Sequence, residues 1–136
     1  MEKAGVNDIA LFLVRVTMGV IFVGHGLQKV FGLFGGPGID GVTAMLSGMG
    51  FAYPGVWAWM VSLSEAIGGL FLVLGIMPRT SAGLIVIIMS VAIAKVHGSH
   101  GLFASNNGFE YPLLILVTAV FLISSGGGRF SFFDRL

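Results

Sequence analysis

The sequence has no cysteine and little charge. The lack of cysteine excludes disulfides, thiolate zinc sites, cysteine-ligated iron–sulfur clusters and a catalytic thiol from this chain. Charged residues make up 10% of the chain and the formal net charge is +1, so the composition does not indicate nucleic-acid binding. If the protein takes part in redox chemistry, something other than protein sulfur must carry the electrons.

Apolar residues dominate what remains. They make up 56% of the chain, and the mean hydropathy of +0.99 is far above the range of soluble domains. We therefore predict an all-α integral membrane protein, a four-helix bundle formed as a single domain by residues 1–136. Asp8 and Arg15 interrupt the first apolar segment, so this segment does not resemble a cleavable signal peptide and is expected to remain as a permanent span.

Four apolar segments are long enough to cross a bilayer, at about residues 8–31, 54–77, 80–97 and 109–125. Prolines near the starts of the second and fourth segments suit the first turn of a helix. The connection between the first two segments is rich in glycine, but its residues 42–49 have apolar side chains at helical spacing. This pattern predicts a short interfacial helix, which either packs on the bundle or lies among the lipid headgroups.

The basic residues predict how the helices are oriented. If four helices alternate in direction, most basic residues outside the spans fall on one side of the membrane: Lys3, Arg79, Arg129 and Arg135. The positive-inside rule makes this side cytoplasmic, so both termini are expected in the cytoplasm.

Glu65 is the only charged residue between Asp40 and Arg79. In a helix that starts at Pro54, Glu65 lies about 16 Å from the helix end and hence near the bilayer centre. Ionisable groups at that depth usually have a partner or a function. We expect an ion pair with Arg15 of the first span, which either neutralises two buried charges or forms a site for a proton or a ligand.

A second set of polar residues is expected together near the outer face: His25, Lys29, Lys95, His97, His100 and Glu110. Lys95 and Glu110 are spaced to form a salt bridge, and lysines at helix ends often simply snorkel to the interface. The H-x-x-H spacing of His97 and His100 suits a metal held with His25 or Glu110, and a haem between His25 and His97 ranks below a metal. Neither a metal nor a haem is predicted for this chain.

The order of several motifs resembles the DoxX family of small bacterial and archaeal membrane proteins, over nearly the whole chain. The residues that carry the resemblance are Arg15, His25-Gly26, Lys29, Phe31-Gly32, Glu65, Gly68-Gly69, Leu72, Gly75, Arg79, His97, Gly128-Arg129-Phe130-Ser131 and Asp134-Arg135. The resemblance implies a four-helix membrane bundle in the cell membrane and an association with respiratory or sulfur redox systems, including quinone-linked thiosulfate oxidation.

The leading functional hypothesis is an inner-membrane subunit that helps a redox partner exchange electrons with the quinone pool. Glu65, His25 and His97 are its candidate catalytic residues, and its candidate substrate-binding residues are Arg15, Lys29, Lys95 and Glu110. A quinone is the cofactor that this hypothesis invokes. The alternatives are a non-catalytic membrane scaffold and, ranked lower, a small transporter subunit that would need to form a homo-oligomer.

Overall fold

A computed structural model describes residues 5–133 of the chain. Within this range the regular structure is helical, with one isolated β-bridge between Ile76 and Phe133. Five α-helices follow one another along the chain: α1 (Val6–Phe31), α2 (Gly38–Gly48), α3 (Pro54–Leu74), α4 (Pro78–Ala92) and α5 (Glu110–Ser125). A π-helical turn, Ile93–His97, continues α4.

Three helical segments of the described range are long and apolar enough to cross a membrane: Asn7–Phe31, Pro54–Leu74 and Pro78–His100. They correspond to the first three predicted spans, so the prediction of an all-helical protein is confirmed, with three candidate membrane spans among the described residues. The fourth predicted span forms α5, which is apolar but has only 16 residues. At 1.5 Å per residue α5 is about 24 Å long, somewhat short of a hydrocarbon core of about 30 Å.

The predicted short helix is present as α2, which begins four residues earlier than expected. It packs against α3 and, less extensively, against α1. Val42 is buried in this contact, whereas Met45 is 46% exposed. Of the two placements that the sequence left open, the structure therefore has α2 packed on the bundle.

Helices α1 and α3 form the most extensive contact, and their backbones touch. A Cβ atom added at Gly26 would lie 2.5 Å from the Cα atom of Ala66, and one added at Gly19 would lie 2.6 Å from the carbonyl oxygen of Gly69. Because glycine has no Cβ atom, it allows the backbones of the two helices to come this close. Since residue numbers rise along α1 while they fall along α3, the two helices are antiparallel, with a register fixed by these glycines.

The apolar core lies where four helices meet. Its buried members come from α1, α3, α4 and α5: Met18, Phe22, Leu72, Ala82, Ile85, Ile115, Ala119 and Leu122. Lys29, Ser62 and Glu65 lie outside this apolar cluster.

The segment after α5 folds back onto the turn between α3 and α4. Gly75 ends α3 in the left-handed conformation, and its carbonyl oxygen accepts hydrogen bonds from the Ser131 hydroxyl (2.6 Å) and the Phe133 amide (2.9 Å). The Met77 amide in turn donates to the Phe133 carbonyl (2.9 Å). The tail motif that contributed to the family resemblance is thus placed up to Phe133, and its Asp134 and Arg135 lie outside the described residues, as does Lys3.

Candidate functional site: a buried lysine–glutamate pair

The register of α1 against α3 brings Lys29 to Glu65. The Lys29 ammonium donates to Oε1 of Glu65 at 2.5 Å, and the side chains are 24% and 2% exposed, respectively. Gly26 lies one helical turn before Lys29 and touches Ala66, the residue after Glu65. The close approach of the two backbones therefore sets the distance between the two charges.

The predicted ion pair between Arg15 and Glu65 is wrong. Arg15 is buried, but its guanidinium donates to the carbonyl oxygens of Leu72 (2.7 Å) and Phe130 (3.0 Å). The last carbonyls of a helix have no partner within the helix, and the planar fork of arginine can reach two of them at once. Arg15 thus links the end of α3 to the tail, about 10 Å along α3 from Glu65.

Two general expectations do not hold for this protein. The ends of α1 and α3 are not at the same depth, and Lys29, although it is near a helix end, does not extend to the membrane surface but pairs with Glu65. In the structure, α1 is shifted along α3, so Gly26, five residues before the end of α1, contacts Ala66 in the second half of α3. Lys29 is therefore at the level of Glu65 and pairs with it.

Two oxygen atoms next to the ion pair are buried and have no hydrogen-bond partner among residues 5–133. They are Oε2 of Glu65 and the hydroxyl oxygen of Ser62. Ser62 is fully buried and precedes Glu65 by three residues on α3, so the two side chains lie on the same face of the helix. A buried polar group without a partner costs about 1–3 kcal/mol. Ser62 was not identified from the sequence, because one serine in an apolar helix is no distinctive signal.

The predicted outer cluster is not held together by contacts between its members. Instead, Nδ1 of His97 bonds to the carbonyl of Asn107 (2.8 Å), and Nδ1 of His100 bonds to that of Val96 (2.9 Å). Because a carbonyl only accepts, each Nδ1 carries the proton. Across the described part of the chain, three or more His, Asp and Glu residues nowhere come together as a metal site would require.

None of the remaining cluster members bonds to the ion pair within residues 5–133. Glu110 does not bond to Lys95; its Oε1 accepts from the amide of Ala104 at 2.6 Å and shapes the loop before α5. Lys95 and His25 are exposed, and the His25 ring contacts that of Phe22. The Lys95–Glu110 salt bridge is absent from the structure, since the only salt bridge within residues 5–133 is Lys29–Glu65. Functional roles for these residues stay predictions.

Comparison with known protein families shows the family of the chain. The DoxX family model matches residues 10–98, which include most of α1 and all of α2, α3 and α4. The chain belongs to the DoxX family. The matched region of this DoxX protein contains Lys29, Ser62 and Glu65, whereas α5 and the tail lie beyond it. The resemblance seen in the sequence is thus confirmed for the part of the chain that holds the ion pair.

Two curated relatives are similar to this DoxX protein. A protein of Bacillus subtilis (strain 168) named "Putative oxidoreductase CatD" is 30% identical over 119 residues, which cover 88% of this chain and 81% of the relative. An uncharacterized protein of Haemophilus influenzae is 36% identical over 74 residues, which cover 54% of this chain and 49% of that protein, so the match spans about half of its length. No solved structure matches the chain.

Proposed function

We propose that this DoxX protein is a membrane subunit that supports quinone-linked redox chemistry together with a partner protein, and that Lys29 and Glu65 form its proton-exchange site. The observation that carries the proposal is the buried ion pair with one carboxylate oxygen, Oε2, still without a hydrogen-bond partner among the described residues. The name of the Bacillus subtilis relative, an oxidoreductase, supports the class of reaction. The lack of cysteine supports the need for a partner that carries electrons.

Reduction of a quinone within the membrane needs a proton donor, because the quinol that forms takes up two protons with two electrons. A carboxyl group beside the quinone donates one of these protons and regains one from the aqueous phase, which also supplies the second proton, and a neighbouring ammonium compensates the charge of the carboxylate between turnovers. Glu65 and Lys29 lie 2.5 Å apart as such a pair. The partner protein supplies both electrons in this scheme, since the side chains of Lys29 and Glu65 do not exchange electrons.

The membrane arrangement belongs to the same proposal. We place α1, α3, α4 with its π-helical turn, and α5 across a bacterial or archaeal cell membrane as one domain, with both termini in the cytoplasm. Arg79 supports this orientation, because it lies at the end that would face the cytoplasm and donates to the Ile123 carbonyl at the C-terminal end of α5 (2.5 Å). Glu65 then lies near the bilayer centre, about 16 Å from the start of α3.

The test compares two glutamate variants in native membranes. Membranes of a strain that lacks this chain are complemented with the wild type, Glu65→Gln or Glu110→Gln, and electron flow from the organism's respiratory substrates to added decylubiquinone is measured. We expect Glu65→Gln to lose most of the activity that depends on this chain, and Glu110→Gln to retain it. The amount of folded protein in each membrane is measured in parallel. Full activity of a folded Glu65→Gln variant would refute the proposal.

One observation favours a second function, a scaffold for another membrane protein. An open groove of about 340 Å³ lies between α3 and α4 on the outside of the bundle, lined mainly by apolar side chains and by the small residues Ser64, Gly68 and Ser81. Small residues allow close contact between helices in lipid. If the protein only scaffolds, Glu65→Gln leaves a copurifying partner bound and quinone reduction intact, whereas Gly68→Leu releases the partner.

A further inference from the structure

Ser62 and Glu65 present two unused hydrogen-bonding atoms to the same part of the bundle interior. Ser62 is 0% exposed and Glu65 is 1% exposed, and neither Ser62 Oγ nor Glu65 Oε2 has a partner among residues 5–133. In folded proteins nearly all buried polar atoms have a protein, water or ligand partner. Two such atoms one turn apart on one helix therefore indicate a molecule that bonds to both.

The chemistry of the two atoms limits what this molecule can be. Paired with the Lys29 ammonium, Glu65 is a carboxylate, and its oxygens only accept hydrogen bonds. The Ser62 hydroxyl can donate or accept. An anion would be repelled by Oε2, and a cation would compete with Lys29 for the same carboxylate. The pair of atoms thus fits an uncharged molecule with an O–H group, which donates to Oε2 and accepts from Ser62.

Space for a molecule larger than a water lies close to Ser62 and Glu65. Gly68 follows Glu65 by one helical turn and is buried, yet a Cβ atom added there would meet no other residue within 4 Å. Gly68 also lines the groove between α3 and α4, which is open to the outside of the bundle and has exposed apolar side chains such as Leu63 and Ile67 in its lining. A lipid-soluble molecule in this groove therefore comes within one turn of Glu65.

We propose that Ser62 and Glu65 bind the hydroxyl group of an uncharged molecule. Two sources supply such a group inside a membrane protein: a buried water, or the hydroxyl of a lipid-soluble quinol that enters through the groove. The second source rests on the proposed function, and it adds that the site recognises the quinol and not the quinone. A quinone has carbonyl groups that only accept hydrogen bonds, so it offers nothing to Oε2.

The test measures thermal unfolding of the purified protein in mild detergent, followed by the fluorescence of Trp57 and Trp59. Three proteins are compared: the wild type, Ser62→Ala, and Ser90→Ala as a control whose serine is exposed on α4 and does not line the groove. Each protein is measured alone, with decylubiquinol under reducing conditions, and with decylubiquinone under oxidising conditions, so that each compound keeps its redox state. A Gly68→Leu variant fills the groove next to Glu65 without a backbone clash at its Cβ atom.

If a buried water occupies the site, Ser62→Ala lowers the unfolding midpoint by several degrees without any addition, Ser90→Ala does not, and decylubiquinol has no effect. If a quinol occupies it, decylubiquinol raises the wild-type midpoint and decylubiquinone does not. The quinol shift is then lost in Ser62→Ala and in Gly68→Leu and kept in Ser90→Ala. Either pattern supports the site.

The proposal is overturned if Ser62→Ala leaves the midpoint unchanged or raises it and decylubiquinol gives no shift, because Ser62 Oγ would then bond to nothing. Equal shifts by the quinol and the quinone would also overturn it. These outcomes are independent of the activity of the membranes. The proposed function fails instead if folded Glu65→Gln supports full quinone reduction, which leaves a water site at Ser62 and Glu65 unaffected.

Discussion

Removal of Lys29 alone should destabilise the protein more than removal of both charges. In Lys29→Met, Glu65 keeps its 2% exposure and loses its only hydrogen-bond donor among the described residues. At an effective dielectric constant of about 20, two unit charges attract with about 7 kcal/mol at the observed 2.5 Å, and desolvation of both groups offsets much of this gain. We expect Lys29→Met to lower the free energy of unfolding by about 3–5 kcal/mol.

The double variant, Lys29→Met with Glu65→Met, should recover most of that loss. It leaves no charge buried, and replacement of a buried ion pair by apolar side chains of similar volume is often neutral or stabilising. Lys95→Met is the matched control, since Lys95 is exposed and makes no salt bridge within the described range. We expect its effect to be within about 0.5 kcal/mol of zero.

Equilibrium unfolding in mixed micelles of SDS and a mild detergent measures these free energies. The informative quantity is the difference in free energy of unfolding between Lys29→Met and the double variant, because detergent-specific effects largely cancel in this difference. If Lys29→Met is as stable as Lys95→Met, or if it is no less stable than the double variant, the two side chains do not form a buried ion pair.

Three further predictions test the parts of the fold that hold the site. Gly26→Ala should lower the free energy of unfolding by about 1–3 kcal/mol, because the added Cβ atom meets the backbone of α3. Gly24→Ala is the control, since a Cβ atom there meets nothing within 4 Å and should not lower it. Equal stabilities of the two variants in the same SDS assay would contradict the glycine contact. Arg15→Met should lose about 1.5–3 kcal/mol for each hydrogen bond of the guanidinium that it removes and expose the tail near Phe130 to limited proteolysis. An unchanged cleavage rate would disprove this prediction. Glu110→Ala should weaken only the loop before α5 and leave quinone reduction intact, and an activity loss as large as that of Glu65→Gln would instead support the outer cluster predicted from the sequence.

Local patterns in the sequence were sufficient for the helices. Apolar segments of sufficient length predicted α1, α3 and α4, and the spacing of apolar residues over 42–49 predicted most of α2. Glu65 was identified as the residue to explain, because a lone carboxylate in an apolar segment costs too much to be incidental. These inferences use only the residue types along one segment, so no knowledge of neighbouring helices is needed.

The partners of the charged residues could not be predicted in this way. A depth estimate assumes that helix ends are level, and a shift of α1 by a few residues along α3 was enough to exchange Arg15 for Lys29 as the partner of Glu65. The contacts within the predicted outer cluster could not be predicted for the same reason, since residue types along one segment do not show which helices touch at one end of the bundle. His97 and Glu110 instead bond to nearby backbone groups.

Residue types along single segments are thus enough to predict a helical membrane protein that resembles the DoxX family and to single out Glu65. That Lys29 pairs with Glu65, that Arg15 links the end of α3 to the tail and that Ser62 is buried beside Glu65 follows only from how the helices pack. The physical reason is that hydrophobicity and helical periodicity are properties of a single segment. The register between two helices depends on where their backbones can touch, and here the glycines of α1 and α3 determine it.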